Sequence, residues 1–202
     1  MLKVVALLSI CVLGEVLSGY APLPPALPKR IFPGEYTLKY VFDPDWNSCF
    51  AVKVKKSNVK KTDFDNRNAC FQANGGKHPY KCMGPGPKQS AKYILNKGAK
   101  PDQFLGLNCD KVTCPKGYKC NVGWETISKA FPTCCNVEFK KLYWDAFVEH
   151  SCPGGADADL VEDRGVTQSF VPMVGHNCND LICYPGAKCV QLNKHFAKCC
   201  KA

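Results

Sequence analysis

The spacing of the cysteines constrains this chain more than any other feature. Cys82 is followed by Cys109-x4-Cys114-x5-Cys120-x13-Cys134-Cys135, and Cys152 by Cys178-x4-Cys183-x5-Cys189-x9-Cys199-Cys200. The lead gaps are 26 and 25 residues, and the flanks agree: Leu105-Gly106-Leu107-Asn108 precedes Cys109, Val174-Gly175-His176-Asn177 precedes Cys178, and Lys119-Cys120 parallels Lys188-Cys189. This regularity marks a duplicated unit. Units of about 55–65 residues bury too little apolar surface to be comfortably stable alone, and disulfides at about 2–4 kcal/mol each make up the difference. The expected class is a small disulfide-rich fold.

The total of 15 cysteines is odd, and the N-terminus accounts for the remainder. Lys3 leads a short apolar run from Val4 to Leu13, the pattern of a secretory signal peptide and too short to span a bilayer. Cleavage after Ser18 or after Ala21 removes Cys11 either way. The mature chain then carries an even set of cysteines into an oxidising compartment, so a secreted, extracellular location is expected. No later apolar stretch reaches 18 residues, and no membrane span is expected.

Twelve cysteines belong to the repeats, which leaves Cys49 and Cys70 for the N-terminal region. The simplest partition is one bridge, then three, then three. A bond between vicinal cysteines closes a strained ring, so Cys134 and Cys135, like Cys199 and Cys200, should reach different partners. Twelve connectivities per repeat stay open if no bridge crosses between repeats.

Ala21 to Pro33 holds five of the prolines and reads as an extended lead. Alternation then predicts a hairpin: Leu38, Tyr40 and Phe42, a turn at Asp43-Pro44-Asp45, and Phe50, Val52 and Val54, with one apolar and one lysine-rich face. A helix follows, with Thr62 or Asp63 as N-cap, Asp65 in its first turn and Gly75-Gly76 as its stop. Each repeat should open in a loop, at Gly84-Pro85-Gly86-Pro87 and at Gly154-Gly155, and close in a hairpin. The hairpins are expected to pair Tyr118–Val122 with Thr133–Phe139 and Ala187–Leu192 with Phe196–Lys201. The longer loop of the first, with Trp124 and Phe131, is where a binding role of that repeat alone would sit.

The run Lys39-Tyr40-Val41-Phe42-Asp43, then Cys49, then Phe64 six positions before Cys70, resembles the latter part of a Kunitz-type serine peptidase inhibitor domain. The twenty residues between Cys49 and Cys70 equal those between that family's third and fifth cysteines. The likeness covers roughly residues 22–75. It implies an α+β unit, a β-hairpin with a C-terminal helix, and a Cys49–Cys70 bridge. By the same offsets the family's first and sixth cysteines fall at Pro24 and Asn74, and its second and fourth at Pro33 and Ser57, so two bridges are lost pairwise. Lys55-Lys56 stands for the usual Gly-Gly, and Asp63 for the usual Asn. The reactive position, just after the second cysteine, is Gly34, which offers neither cation nor bulk to a specificity pocket. Pro33, Gly34 and Glu35 are the reactive-loop candidates, and Lys29-Arg30 a displaced anchor, a cleavage site or a solvated basic pair. The repeats look like those that accompany Kunitz domains in some secreted invertebrate proteins. The implied organisation is a signal peptide over 1–21, a degenerate Kunitz-like domain over 22–75, and cysteine-rich repeats over 76–140 and 141–202.

The net charge of +10 draws anionic partners without naming one. Lys53, Lys55, Lys56, Lys60 and Lys61 form its densest run, an anion-binding candidate for sulfated glycans or a solvated strand face. Hydrolase, nucleotide and zinc-peptidase motifs are absent, so no enzyme activity and no cofactor is expected. His78, His150, His176 and His195 read as surface or hairpin residues rather than metal ligands, and Asp157, Asp159, Glu162 and Asp163 as a solvated loop. No metal and no nucleic-acid partner is expected. The leading expectation is a secreted monomer that binds an extracellular peptidase or other protein, with inhibition weak or lost; the alternative is an extracellular structural or anionic-glycan-binding protein.

Overall fold

The computed structural model describes residues 34–74, 82–100, 108–124, 130–164 and 168–202. The expected signal peptide, the proline-rich lead with Lys29, Arg30 and Pro33, His78 and the expected Gly75-Gly76 stop lie outside the described residues.

Strands β1 (Tyr36–Asp43) and β2 (Ser48–Lys55) form the first hairpin. The Asp43 carboxylate closes its turn by accepting from the backbone N–H groups of Asp45 and Trp46 at 2.7 and 3.2 Å. The register pairs Tyr36 with Lys55, Leu38 with Lys53, Tyr40 with Ala51 and Val41 with Phe50. Directly opposed residues share a face, so Leu38 and Tyr40 lie with Lys53 and Lys55, while Phe50 lies on the other side with Val41. The expected split into an apolar and a lysine-rich face is therefore overturned. Both faces meet protein: Leu38, Tyr40, Cys49 and Ala51 enter one buried cluster and Phe50 another.

Helix α1 (Arg67–Asn74) starts later than Thr62 or Asp63 suggests. Asp63 instead accepts from the Lys60 backbone N–H at 2.8 Å and closes a turn. Phe64 then pairs with Tyr40, the two exchanging backbone hydrogen bonds of 2.8 and 3.0 Å. Asn66 is the true cap, accepting from the Ala69 N–H at 2.7 Å, and Asp65 is ion-paired with Lys39. Cys70, fully buried on α1, is bonded to Cys49 of β2.

The first repeat holds β3 (Ser90–Ala91), β4 (Ile94–Leu95), β5 (Val112–Thr113), β6 (Tyr118–Trp124) and β7 (Ala130–Asn136). Its main sheet runs β3-β7-β6, and β4 pairs with β5. The strand expected to continue to Phe139 stops at Asn136, whose side chain accepts from the N–H groups of Glu138 and Phe139 at 2.9 and 3.3 Å. That cap starts helix α2 (Val137–Phe147). Beyond it come β8 (Leu160–Arg164), β9 (Gln168–Pro172), β10 (Val174–Gly175), β11 (Ala187–Gln191) and β12 (Ala197–Lys201). The sheet β10-β12-β11 has the same order as its counterpart in the first repeat.

Seven disulfides staple the chain, and the two repeats share one connectivity. Cys82–Cys135, Cys109–Cys120 and Cys114–Cys134 match Cys152–Cys200, Cys178–Cys189 and Cys183–Cys199. The repeated Asn before the second cysteine caps a short turn in each: Asn108 accepts from the Asp110 N–H at 3.2 Å and Asn177 from the Asn179 N–H at 2.9 Å.

The core joins distant stretches of chain. One cluster packs Leu38, Tyr40, Ala51 and the Cys49–Cys70 bridge against Val161, Met173, Leu181 and Ala197. The other packs Trp46 and Phe50 against Phe147, Val174 and Phe196, with Trp46 and Phe196 ring centroids 4.4 Å apart. Such aromatic pairs add about 0.5–1.5 kcal/mol each beyond the area they bury. Among the described residues no helix is long and apolar enough to cross a membrane.

Candidate functional site

The two ends of the β1–β2 hairpin have opposite fates. At the turn end, His176 stacks on Phe50 with ring centroids 3.8 Å apart, and its Nε2 lies 3.1 Å from the Asp43 carboxylate. Burial pushes the Asp43 carboxyl upward, but the hydrogen bonds from His176, Trp46 and Asp45 and the His176 charge outweigh it and hold the group below its usual range. Burial likewise pulls His176 down, yet the bond to Asp43, its charge, the His195 carbonyl and Asp180 together raise it. His195 sits beside Trp46 and is lowered by burial, then by the nearby charges of Lys194 and His176. Among the described histidines, His150 is exposed and His195, partly buried, lies in the turn of the β11–β12 hairpin, the surface and hairpin positions expected; His176 is partly buried instead because the β1–β2 turn docks onto the second repeat. Asp159 is also buried rather than solvated, accepting from the Tyr184 N–H at 3.0 Å, whereas Asp157 is exposed and pairs with Lys201.

The other end is open. Gly34 is exposed, and a side chain built on it would meet nothing within 4 Å. Lys56 donates from Nζ to the Gly34 carbonyl at 2.7 Å and from its backbone N–H to the Glu35 carbonyl at 2.8 Å. Lys55 lies 3.6 Å from the Glu35 carboxylate. The ammonium groups of Lys53 and Lys55 stand over the Tyr36 ring, 5.4 and 5.9 Å from its centroid. Gly34, Glu35, Lys53, Lys55 and Lys56 are thus gathered at one edge, while Lys60 and Lys61 follow in an exposed turn beside Val59.

Among the described residues, this edge contains no nucleophile paired with a base. It offers exposed backbone at Gly34 and Glu35, one aromatic ring and a partly compensated basic rim. Exposed backbone, an aromatic ring and a polar rim are features that protein interfaces share. Sequence reading missed the Asp43–His176 contact, because the partners are 133 positions apart by their numbering. No family model, no curated protein and no solved structure matches the chain.

Proposed function

We propose that the chain is a secreted, protein-binding member of the Kunitz-type serine peptidase inhibitor family whose ordinary inhibitory loop has lost its anchor. Support for the kinship comes from the Cys49–Cys70 bridge between hairpin and helix and from the Tyr40–Phe64 pairing, both at positions carrying the resemblance. The observation behind the lost anchor is Gly34: the reactive position has no side chain and stands in open space. A specificity pocket has nothing to grip there. Pro33 and Ser57 stand where the loop bridge would be, and the Lys56 bond to the Gly34 carbonyl is a much weaker tether than a disulfide. Secretion rests on the leader and on seven disulfides, which persist in an oxidising compartment.

The glycan reading has less behind it at this edge, since Lys55 is compensated by Glu35 and Lys56 is spent on a carbonyl. Titration of trypsin-, chymotrypsin- and elastase-type peptidases tests the proposal. The wild-type protein is expected to inhibit none stoichiometrically, and Gly34→Arg to gain trypsin affinity by at least about tenfold, one anchor contact's worth. Tight inhibition by the wild type overturns the lost anchor, unless Lys29→Ala/Arg30→Ala abolishes it and so moves the anchor upstream. An unchanged Gly34→Arg variant overturns the loop assignment.

A further inference from the structure

The basic excess is unevenly spread. Residues 77–119 carry nine lysines against two aspartates, a surplus of seven out of the chain's +10. Within this stretch the first repeat exposes three consecutive apolar side chains: Tyr93 is 37% exposed, Ile94 70% and Leu95 47%. Lys92 and Lys97 bracket them in sequence, and both are exposed.

The tip is held in place. Ile94 and Leu95 pair with Thr113 and Val112, and the Asn96 backbone N–H donates to the Lys111 carbonyl at 2.9 Å. The Asn96 side chain donates to the Asp110 carbonyl at 2.9 Å and accepts from the Thr113 hydroxyl at 2.6 Å. Lys111 therefore lies opposite Asn96, one position along the chain from Lys97, and the flanking Cys109–Cys120 and Cys114–Cys134 bridges brace the platform. Ion pairs among the described residues engage Lys39, Lys55, Lys141, His176 and Lys201, none from this tip. An open depression of about 470 Å³ lies alongside, lined by Lys92, Tyr93, Pro132 and Thr133 among others.

We infer that the Tyr93–Leu95 tip of the first repeat, with Lys92, Lys97 and Lys111, is a docking surface for an anionic phospholipid bilayer. A polyanionic glycan would use the lysines and leave Ile94 in water. An anionic membrane takes both parts: lysines are drawn to the headgroup charge, apolar side chains enter the acyl boundary, and a tyrosine ring suits the interface between them. Binding of this kind is peripheral and salt-sensitive. It uses none of the residues at the Gly34 edge, so it stands or falls independently of the peptidase assays.

The test is co-sedimentation of the full chain with phosphatidylcholine vesicles, with and without about 30% phosphatidylserine. The protein should sediment with the anionic vesicles and stay in solution with the neutral ones. Lys92→Ala/Lys97→Ala/Lys111→Ala should weaken partitioning by about a hundredfold, at roughly fivefold per lysine. Ile94→Ser/Leu95→Ser, exposed positions whose change leaves the core intact, should weaken it at least about tenfold while retention on heparin is unchanged. Failure to sediment with anionic vesicles overturns the proposal, as does equal binding to neutral ones. Anionic-vesicle binding that Ile94→Ser/Leu95→Ser leaves unaltered overturns it in favour of a polyanion site.

Discussion

Asp43 carries two duties with one carboxylate. It closes the β1–β2 turn through Oδ1 and holds His176 of the second repeat through Oδ2. Asn at this position keeps an oxygen for the turn and loses the charge, so Asp43→Asn isolates the second duty. The sign of the pH effect follows from the two shifts. The lowered Asp43 pKa contributes stability that is present above about pH 4 and is lost as pH falls through its folded value. The raised His176 pKa contributes stability that is present below about pH 6.5 and is lost as pH rises through its folded value. The pair is therefore at full strength between about pH 4 and 6.5. Because both groups are partly exposed and screened, the wild type should exceed Asp43→Asn by only about 0.5–1 kcal/mol in that window. Denaturant unfolding at about pH 5.5, 8 and 3 should show the gap shrinking on both sides, and NMR titration should place His176 lower in the variant. Neither residue's partner was legible in the sequence. Asp43 reads as a turn residue, which it is, but a contact across two units has no local signature.

At the scale of elements, α2 is fastened by a lysine. Lys198 of β12 is fully buried, and its ammonium donates to the carbonyls of Asp145, Glu149 and Ser151 at 2.7, 2.8 and 3.3 Å. These include carbonyls at and beyond the helix C-terminus, which have no partner within the helix. Burial lowers Lys198 to about 8, against the raising effect of the Glu149 and Asp145 charges. Lys198→Met should cost about 1–3 kcal/mol in guanidinium unfolding at neutral pH, since the carbonyls lose their donor. A depressed lysine pKa makes folding release a proton between about 8 and 10.4, so wild-type stability relative to the variant should rise over that interval. An equal gap at both pH limits would argue against a buried titrating amine.

Elements with a strong local pattern were readable: the β1–β2 hairpin and the β11–β12 hairpin lie close to where alternation puts them. The faces of β1–β2 were not, because register depends on the partner strand, and a hairpin covered on both sides does not show one polar face. Helix α2 was misread as strand at Val137–Phe139, although Asn136 followed by Glu138 and a run free of Gly and Pro carries the signal of a capped helix. The short strands β3, β4, β5 and β10 have two residues each, too few to set up a period.

Over the whole molecule, the hydrophobic core is built from the hairpin unit and the region from α2 onward. Arg67 of α1 reinforces the join, with its guanidinium 5.5 Å from the centroid of the Phe147 ring. Cysteine counting exposed the duplication but could not show that the first unit packs on the last. Residues 82–136 form an excursion between them. Their described buried hydrophobics are Cys82, Val112, Cys134 and Cys135, and their three bridges all close within the excursion. Its base meets the core through Gly84, whose N–H donates to the Asp45 carbonyl at 2.9 Å and where any side chain would strike the Phe139 ring. Cys82–Cys135 holds the two ends of the excursion with Cα atoms 5.2 Å apart. Replacing residues 82–135 by a short Gly-Ser linker should leave a protein that forms its four remaining disulfides and unfolds within about 2 kcal/mol of the parent, but no longer sediments with anionic vesicles. Loss of folding in that variant would show the excursion to be part of the core. The narrow base thus makes the first repeat a cartridge in a chassis: its surface can be exchanged for another while the frame that folds the molecule is left untouched.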